Sequence, residues 1–130
     1  MPSSGIVPTG PAIERIVGVY HADGSLRGEL AYVVGKLLGT AHCALCDVTH
    51  GSVREKASFR ALRAACSVPF ELVHLDERDA PTRAFTEGRT PCVIGFTREG
   101  PRMLLDDAAL RRCGGDVERF RRALDEALAS

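Results

Sequence analysis

Runs of apolar residues with two different spacings follow one another along the chain and predict its secondary structure. Four short apolar runs predict β-strands, and they are Ile16–Tyr20, Phe70–Leu75, Cys92–Phe96 and Met103–Leu105. Apolar residues three and four positions apart predict helices between the first two strands and after the fourth. The spacing therefore predicts an α/β protein.

Capping residues mark the ends of the predicted helices. Ser25 opens a helix that ends at Gly39, the capping-box sequence Ser52-Val53-Arg54-Glu55 opens a second that runs to about Cys66, and Asp116 opens the last. One helical turn is expected around Thr82–Phe85. The predicted order is β, α, α, β, then β, β, α.

The first 12 residues have little apolar periodicity and contain two glycines and three prolines. We expect residues 1–12 to form a flexible tail. Residues 13–130 are long enough for a single domain that buries most of the surface of its unfolded chain. Neither a metal ion nor a disulfide is then needed merely for folding.

The composition of the chain limits the classes of binding partner that we expect. Seventeen basic residues balance 17 acidic ones, and the arginines are spread along the chain, so no basic surface for nucleic acid or an anionic membrane is expected. No apolar run approaches the roughly 20 residues of a membrane span, and the start lacks the features of a signal peptide. We therefore expect a cytoplasmic protein whose partner is a metal ion, a small molecule or a thiol substrate, and a homodimer stays open.

The nine residues His42–His50 carry the densest chemistry of the chain. Cys43 and Cys46 have the spacing at which two thiolates bind one ion, and His50 follows four positions later. His42 adds another donor. Because thiolates and imidazole select zinc, copper or iron over magnesium or calcium, the stretch predicts a transition-metal site with zinc as the first choice.

The same two cysteines suit other roles. In a thiol-disulfide oxidoreductase, Cys43 would be the nucleophile and Cys46 would resolve the mixed disulfide. An interaction domain with a structural zinc is a third hypothesis. In the simplest interpretation both cysteines are packing residues and His50 caps a helix. Whether the chain is an enzyme stays open.

One segment resembles a known family. Thr90-Pro91-Cys92-Val93-Ile94-Gly95-Phe96, followed by Arg98-Glu99-Gly100, is similar to the thioredoxin-like segment in which a cis-proline precedes the third strand. The resemblance extends over about residues 13–128. It implies a thioredoxin-like fold, in which helices flank a central mixed four-stranded sheet, here with a helical insertion after the first strand. It also implies that Pro91 and Cys92 face a redox or substrate site beside Tyr20-His21.

The chain departs from the family in one respect, because its Cys-x-x-Cys follows an intervening helix and not the first strand. The 12 residues from Thr40 to Gly51 can span up to about 40 Å when extended. We therefore expect them to return Cys43, Cys46 and His50 to the carboxyl end of the first strand. His21, His42 or Cys92 would complete the metal site.

Other titratable groups receive simpler interpretations. His74 has the same-face strand spacing as Phe70 and Leu72 and is predicted to be a core histidine. The carboxylate pairs Asp76-Glu77 and Asp106-Asp107 are interpreted as solvated charges, since neighbouring side chains point apart.

Overall fold

The computed structural model describes residues 11–21, 44–49 and 56–129, without the side chain of Asp47. Four strands form a single sheet in this part of the chain: β1 (Arg15–Val19), β2 (Phe70–Val73), β3 (Cys92–Thr97) and β4 (Gly100–Leu105). The helices are α1 (Ala44–Thr49), α2 (Ala57–Ala65), α3 (Ala80–Thr86), α4 (Asp107–Cys113) and α5 (Val117–Ala129), and a 3₁₀ turn spans Leu75–Glu77.

The sheet has the order β2-β1-β3-β4. Strand β1 pairs with β2 in parallel, with Val19 opposite Val73. It pairs with β3 antiparallel, with Val19 opposite Cys92, and β3 and β4 form an antiparallel hairpin. The structure thus confirms the predicted α/β class and the mixed four-stranded sheet with flanking helices. It also confirms that the first two strands pair in parallel.

The two faces of the sheet carry separate apolar clusters, because successive side chains of a strand point to opposite sides. Ile16 and Tyr20 face the larger cluster, to which α1, α2, α4 and α5 contribute; we call this the α1 face. Val17 and Val19 face the smaller cluster, against which Phe85 of α3 packs; we call this the α3 face. Strand β1 is therefore buried on both sides, as its continuous apolar run predicts.

Three aromatic rings hold α2 and α5 against β2. The ring centroid of Phe59 lies 5.7 Å from that of Phe70 and 5.6 Å from that of Phe120. Both Phe59 and Phe120 are fully buried. Edge-to-face and tilted aromatic pairs of this kind contribute on the order of 1 kcal/mol each beyond the area that they bury.

Gly18 sets how closely α1 approaches the sheet. A Cβ at this position would lie 2.9 Å from Cδ2 of Leu72 and 3.4 Å from Cδ2 of Leu45 in α1. The missing side chain thus leaves room for Leu45 to pack directly on the middle of β1. This contact places Cys46, the second cysteine of the Cys-x-x-Cys motif, on the α1 face.

Several helices and strands begin or end at residues other than those predicted from the sequence. The turn expected around Thr82–Phe85 is the seven-residue helix α3, and β4 begins at Gly100 instead of Met103. Helix α3 is longer because the Asp79 side chain accepts a hydrogen bond of 2.9 Å from the backbone N–H of Thr82 and caps it. The predicted helix from Ser25 to Gly39, most of the 1–12 tail and the capping box 52–55 lie outside the described residues.

Candidate functional site

The end of α1 meets the end of β1. The hydroxyl group of Tyr20, the residue after β1, lies 3.0 Å from Oγ1 of Thr49, the last residue of α1. Both side chains are buried. The backbone N–H of Lys56 donates a hydrogen bond of 2.7 Å to the carbonyl oxygen of Thr49, so α2 also begins here. Three elements therefore converge at the carboxyl end of β1.

Cys46 lies on α1, three residues before Thr49 and on the same side of the sheet as Tyr20. Its side chain is half-buried and packs against the cluster of the α1 face. The other residues predicted for this site, Cys43, His42 and His50, lie outside the described residues. Helix α1 begins at Ala44 and ends at Thr49. In the sequence, Cys43 is the residue before Ala44 and His50 is the residue after Thr49.

The Thr90–Pro91 peptide bond is cis, as predicted. Pro91 is buried directly before β3. The imidazole Nδ1 of His21 lies 2.8 Å from Oγ1 of Thr90 in an exposed hydrogen bond. The predicted proximity of the cis-proline segment and the end of the first strand is therefore confirmed.

Cys92 has no exposed surface and packs on the α3 face with Val17, Val19 and Ile94. Burial raises the pKa of its thiol to about 12, although the positive charges of Arg78 and Arg89 act in the opposite direction. Cys46 packs on the other face of the sheet. The structure therefore does not bring Cys92 and Cys46 together.

His74 departs from its prediction as a core histidine. Its side chain is 22% exposed, and its Nδ1 lies 2.8 Å from Oε1 of Glu77. The same carboxylate oxygen accepts a hydrogen bond of 2.8 Å from the His74 backbone N–H, and these bonds lower the pKa of Glu77 below its usual range. The ring of His74 also lies against that of Tyr20, at a centroid distance of 4.9 Å.

The prediction for His74 was wrong, whereas Glu77 is exposed, as predicted, and is in addition bonded to the histidine. The chain leaves the strand after Val73 and turns, which moves His74 out of the core. The sequence contained a usable signal, because a glutamate three residues after a polar residue is the spacing of a capping box. His74 and Glu77 thus form a carboxylate–imidazole pair beside Tyr20, and sequence reasoning missed it.

Among residues 11–21, 44–49 and 56–129, no group of three His, Cys, Asp or Glu side chains is placed to hold a metal ion. Of the predicted donors, this range contains only Cys46, His21 and Cys92. His21 is hydrogen-bonded to Thr90, and Cys92 belongs to the α3 face. A metal site centred on Cys46 would therefore depend on donors from the undescribed parts of the motif.

Comparison of the chain with protein-family models, with curated proteins and with solved structures finds no match. Within its described part, no helix is long and apolar enough to cross a membrane. Inferences about function therefore begin from the convergence at Tyr20, Thr49 and Cys46 and from the cis-proline beside His21.

Proposed function

We propose that this chain is a thioredoxin-like protein that binds one transition-metal ion through Cys43, Cys46 and His50. The hydrogen bond between Tyr20 and Thr49 carries the proposal. It fixes the helix that contains Cys46 at the carboxyl end of β1, where open α/β sheets commonly bind their ligands.

The fold supports the thioredoxin-like part of the proposal. A parallel β1–β2 pair, an antiparallel β3–β4 hairpin, a closing helix and the sheet order β2-β1-β3-β4 occur together. A cis-proline directly precedes β3. This combination is what the resemblance of the Thr90–Gly100 segment implies.

The spacing of the motif supports the ligand set. Residues three and four apart on a helix share a face, so Cys46 is within reach of a donor at position 43 and another at position 50. Two thiolates and an imidazole favour zinc, with copper or iron as alternatives. In a closed site, we propose that His42 or His21 fills the fourth position, whereas in a catalytic site that position would be open to substrate. Cys92 is not included, because it packs on the other face of the sheet.

The test is elemental analysis of protein purified without an affinity tag. We expect about one metal ion per chain, lost in Cys46→Ser and retained in Cys66→Ser. Cys66 is the matched control because it is also half-buried but follows α2 and lies outside the motif. Protein that purifies metal-free and takes up none of Zn(II), Cu(I) or Fe(II) would refute the metal proposal.

The half-buried position of Cys46 on α1 favours a second candidate, a thiol-disulfide oxidoreductase. Cys43 lies three positions before Cys46 in the sequence, which is the spacing of a redox-active cysteine pair. In this reaction the Cys43 thiolate attacks a substrate disulfide and releases one substrate thiol. The Cys46 thiolate then attacks the Cys43 sulfur and releases the second, so the substrate gains two electrons and the enzyme ends as a disulfide.

Redox titration of the metal-free protein separates this candidate from metal binding. An oxidoreductase should show a defined two-electron midpoint against glutathione, and Cys43→Ser should abolish disulfide reduction while the fold persists. The oxidoreductase candidate is refuted if the wild-type protein shows neither reductase activity nor a Cys43–Cys46 disulfide.

A further inference from the structure

A second concave surface lies away from the motif, between α4, α5 and β4. Its volume is about 410 Å³, which is within the size range of small-molecule sites. Its floor is formed by apolar and small side chains, namely Leu104, Leu105, Ala109, Cys113, Ala123 and Ala127. It shares no residue with the proposed metal site.

Two arginines, Arg112 and Arg119, line this cavity. A Cβ on Gly114 would lie 3.9 Å from Nη1 of Arg119, so this arginine reaches back over the turn after α4. Burial raises the pKa of the Cys113 thiol and the Asp116 carboxylate adds to this increase, whereas the charges of Arg112 and Arg119 act to lower it. Both positive charges therefore act on the thiol of Cys113, which lies at the floor of the cavity.

These two arginines differ from their neighbours on the same helices. Arg111 pairs with Asp107 at 2.9 Å, Arg121 with Asp125 at 3.0 Å, and Arg122 with Glu118 at 3.7 Å. Within the described part of the chain, neither Arg112 nor Arg119 forms an ion pair through its guanidinium. Asp116 is used to cap α5, where it accepts a hydrogen bond of 2.9 Å from the Arg119 backbone N–H.

The cavity therefore combines an apolar floor with an excess of positive charge. Its lining contains two arginines, Arg112 and Arg119, and one acidic residue, Glu126. A guanidinium donates two parallel hydrogen bonds to a carboxylate, and such charge-assisted pairs are stronger than neutral ones. We propose that this cavity binds a small apolar carboxylate, with the anionic group between Arg112 and Arg119 and the hydrocarbon on Leu104 and Ala123.

Two sources present this chemistry, a free aliphatic acid and the C-terminal carboxylate of an apolar peptide. Octanoate and a short leucine-rich peptide with a free C-terminus are the probes. Octanol and the same peptide with an amidated C-terminus are their neutral counterparts. Calorimetry gives the affinities, and the backbone NMR signals of Ala109 and Ala123 report binding at this cavity.

We expect at least one of the two carboxylate probes to bind, and its neutral counterpart to bind far more weakly. Arg112→Gln and Arg119→Gln should each lower the affinity by about tenfold or more, because each removes a charge-assisted hydrogen bond. Arg122→Gln is the matched control on α5 and should leave the affinity unchanged. All three arginines are exposed, so the variants should keep the fold.

A further variant tests the apolar half of the cavity without changing its charge. Ala123→Leu narrows the floor and should weaken the probe that binds wild-type protein. The proposal is overturned if neither carboxylate probe shifts the Ala109 and Ala123 signals. It is also overturned if octanol binds as well as octanoate, or if both glutamine variants bind as tightly as Arg122→Gln.

Discussion

The hydroxyl groups of Tyr20 and Thr49 lie 3.0 Å apart in a buried hydrogen bond that joins the end of β1 to the end of α1. The two residues are 29 positions apart in the chain. The bond therefore fixes the helix that carries Cys46 at the carboxyl end of the central strand.

A double-mutant cycle measures this bond. Tyr20→Phe and Thr49→Val each remove one hydroxyl and keep nearly the same volume, and a buried hydrogen bond contributes about 1 kcal/mol. We expect a coupling free energy of about 1 kcal/mol between the two sites in urea unfolding. Strictly additive effects on the free energy of unfolding would show that the two hydroxyls do not interact.

Gly18→Ala should destabilise the protein. The new Cβ would approach Cδ2 of Leu72 to 2.9 Å, and because the end of this side chain can shift, we expect a cost of about 1 kcal/mol, at the low end of the range for overpacking. Leu72→Val shortens the opposing side chain and should recover part of the loss in the double variant. Thermal unfolding followed by circular dichroism is the measurement. A melting temperature unchanged by Gly18→Ala would contradict the close packing of β1 against its neighbours.

The Glu77 carboxylate should make stability depend on pH. Hydrogen bonds from the His74 backbone and side chain lower its pKa in the folded state, so the folded protein favours the deprotonated form. This stability is present above the unfolded pKa of about 4.3 and is lost as pH falls through the lower folded pKa. Because the side chain is half-exposed, solvent screening keeps the effect small.

Glu77→Gln should therefore flatten the acid limb of the melting-temperature profile. Glu99→Gln is the control, since Glu99 is exposed in the β3–β4 turn. If both variants show the wild-type loss of stability between neutral and acid pH, the bonds to His74 do not contribute in solution.

Cys92 should resist alkylation in the native state. Its thiol is fully buried and its pKa is raised to about 12, so almost no reactive thiolate is present at neutral pH. Cys66 is half-buried, and we expect it to react with iodoacetamide much faster. Peptide mass spectrometry gives the two rates. Equal rates in folded protein would mean that β3 opens far more readily than its burial implies.

Metal affinity should fall at low pH if the proposed site forms. Thiolates and neutral imidazole bind metal only after losing protons, so affinity decreases as pH drops through the histidine range, near pH 6.5. Binding should also raise the melting temperature, since the native state alone holds the ion. Complete unfolding on chelation would favour the structural-zinc hypothesis, whereas a folded metal-free protein would favour an accessible site.

The sequence predicted the sheet well because its two central strands, β1 and β3, are short apolar runs buried on both sides. It also predicted the cis bond at Pro91, since one local segment carried that resemblance. It failed at His74, where a period of two continued in the sequence after the strand itself had ended at Val73. Local spacing does not reveal where a strand stops.

Contacts that depend on the packing of several elements could not be predicted from the sequence. The side of the sheet that Cys92 faces follows from its pairing with Val19, which only the three-dimensional register fixes. The cavity beside Arg112 and Arg119 likewise forms only when α4 and α5 pack on β4.

The separation of Cys46 and Cys92 by the sheet has a chemical consequence. A disulfide requires the two Cα atoms to lie within about 7 Å, whereas these thiols pack in different apolar clusters on either side of a hydrogen-bonded strand pair. The backbone of the sheet therefore lies between Cys92 and any oxidant or metal ion that reaches the helix of Cys46. The backbone of the sheet thus keeps the thiol of Cys46 and the thiol of Cys92 chemically separate.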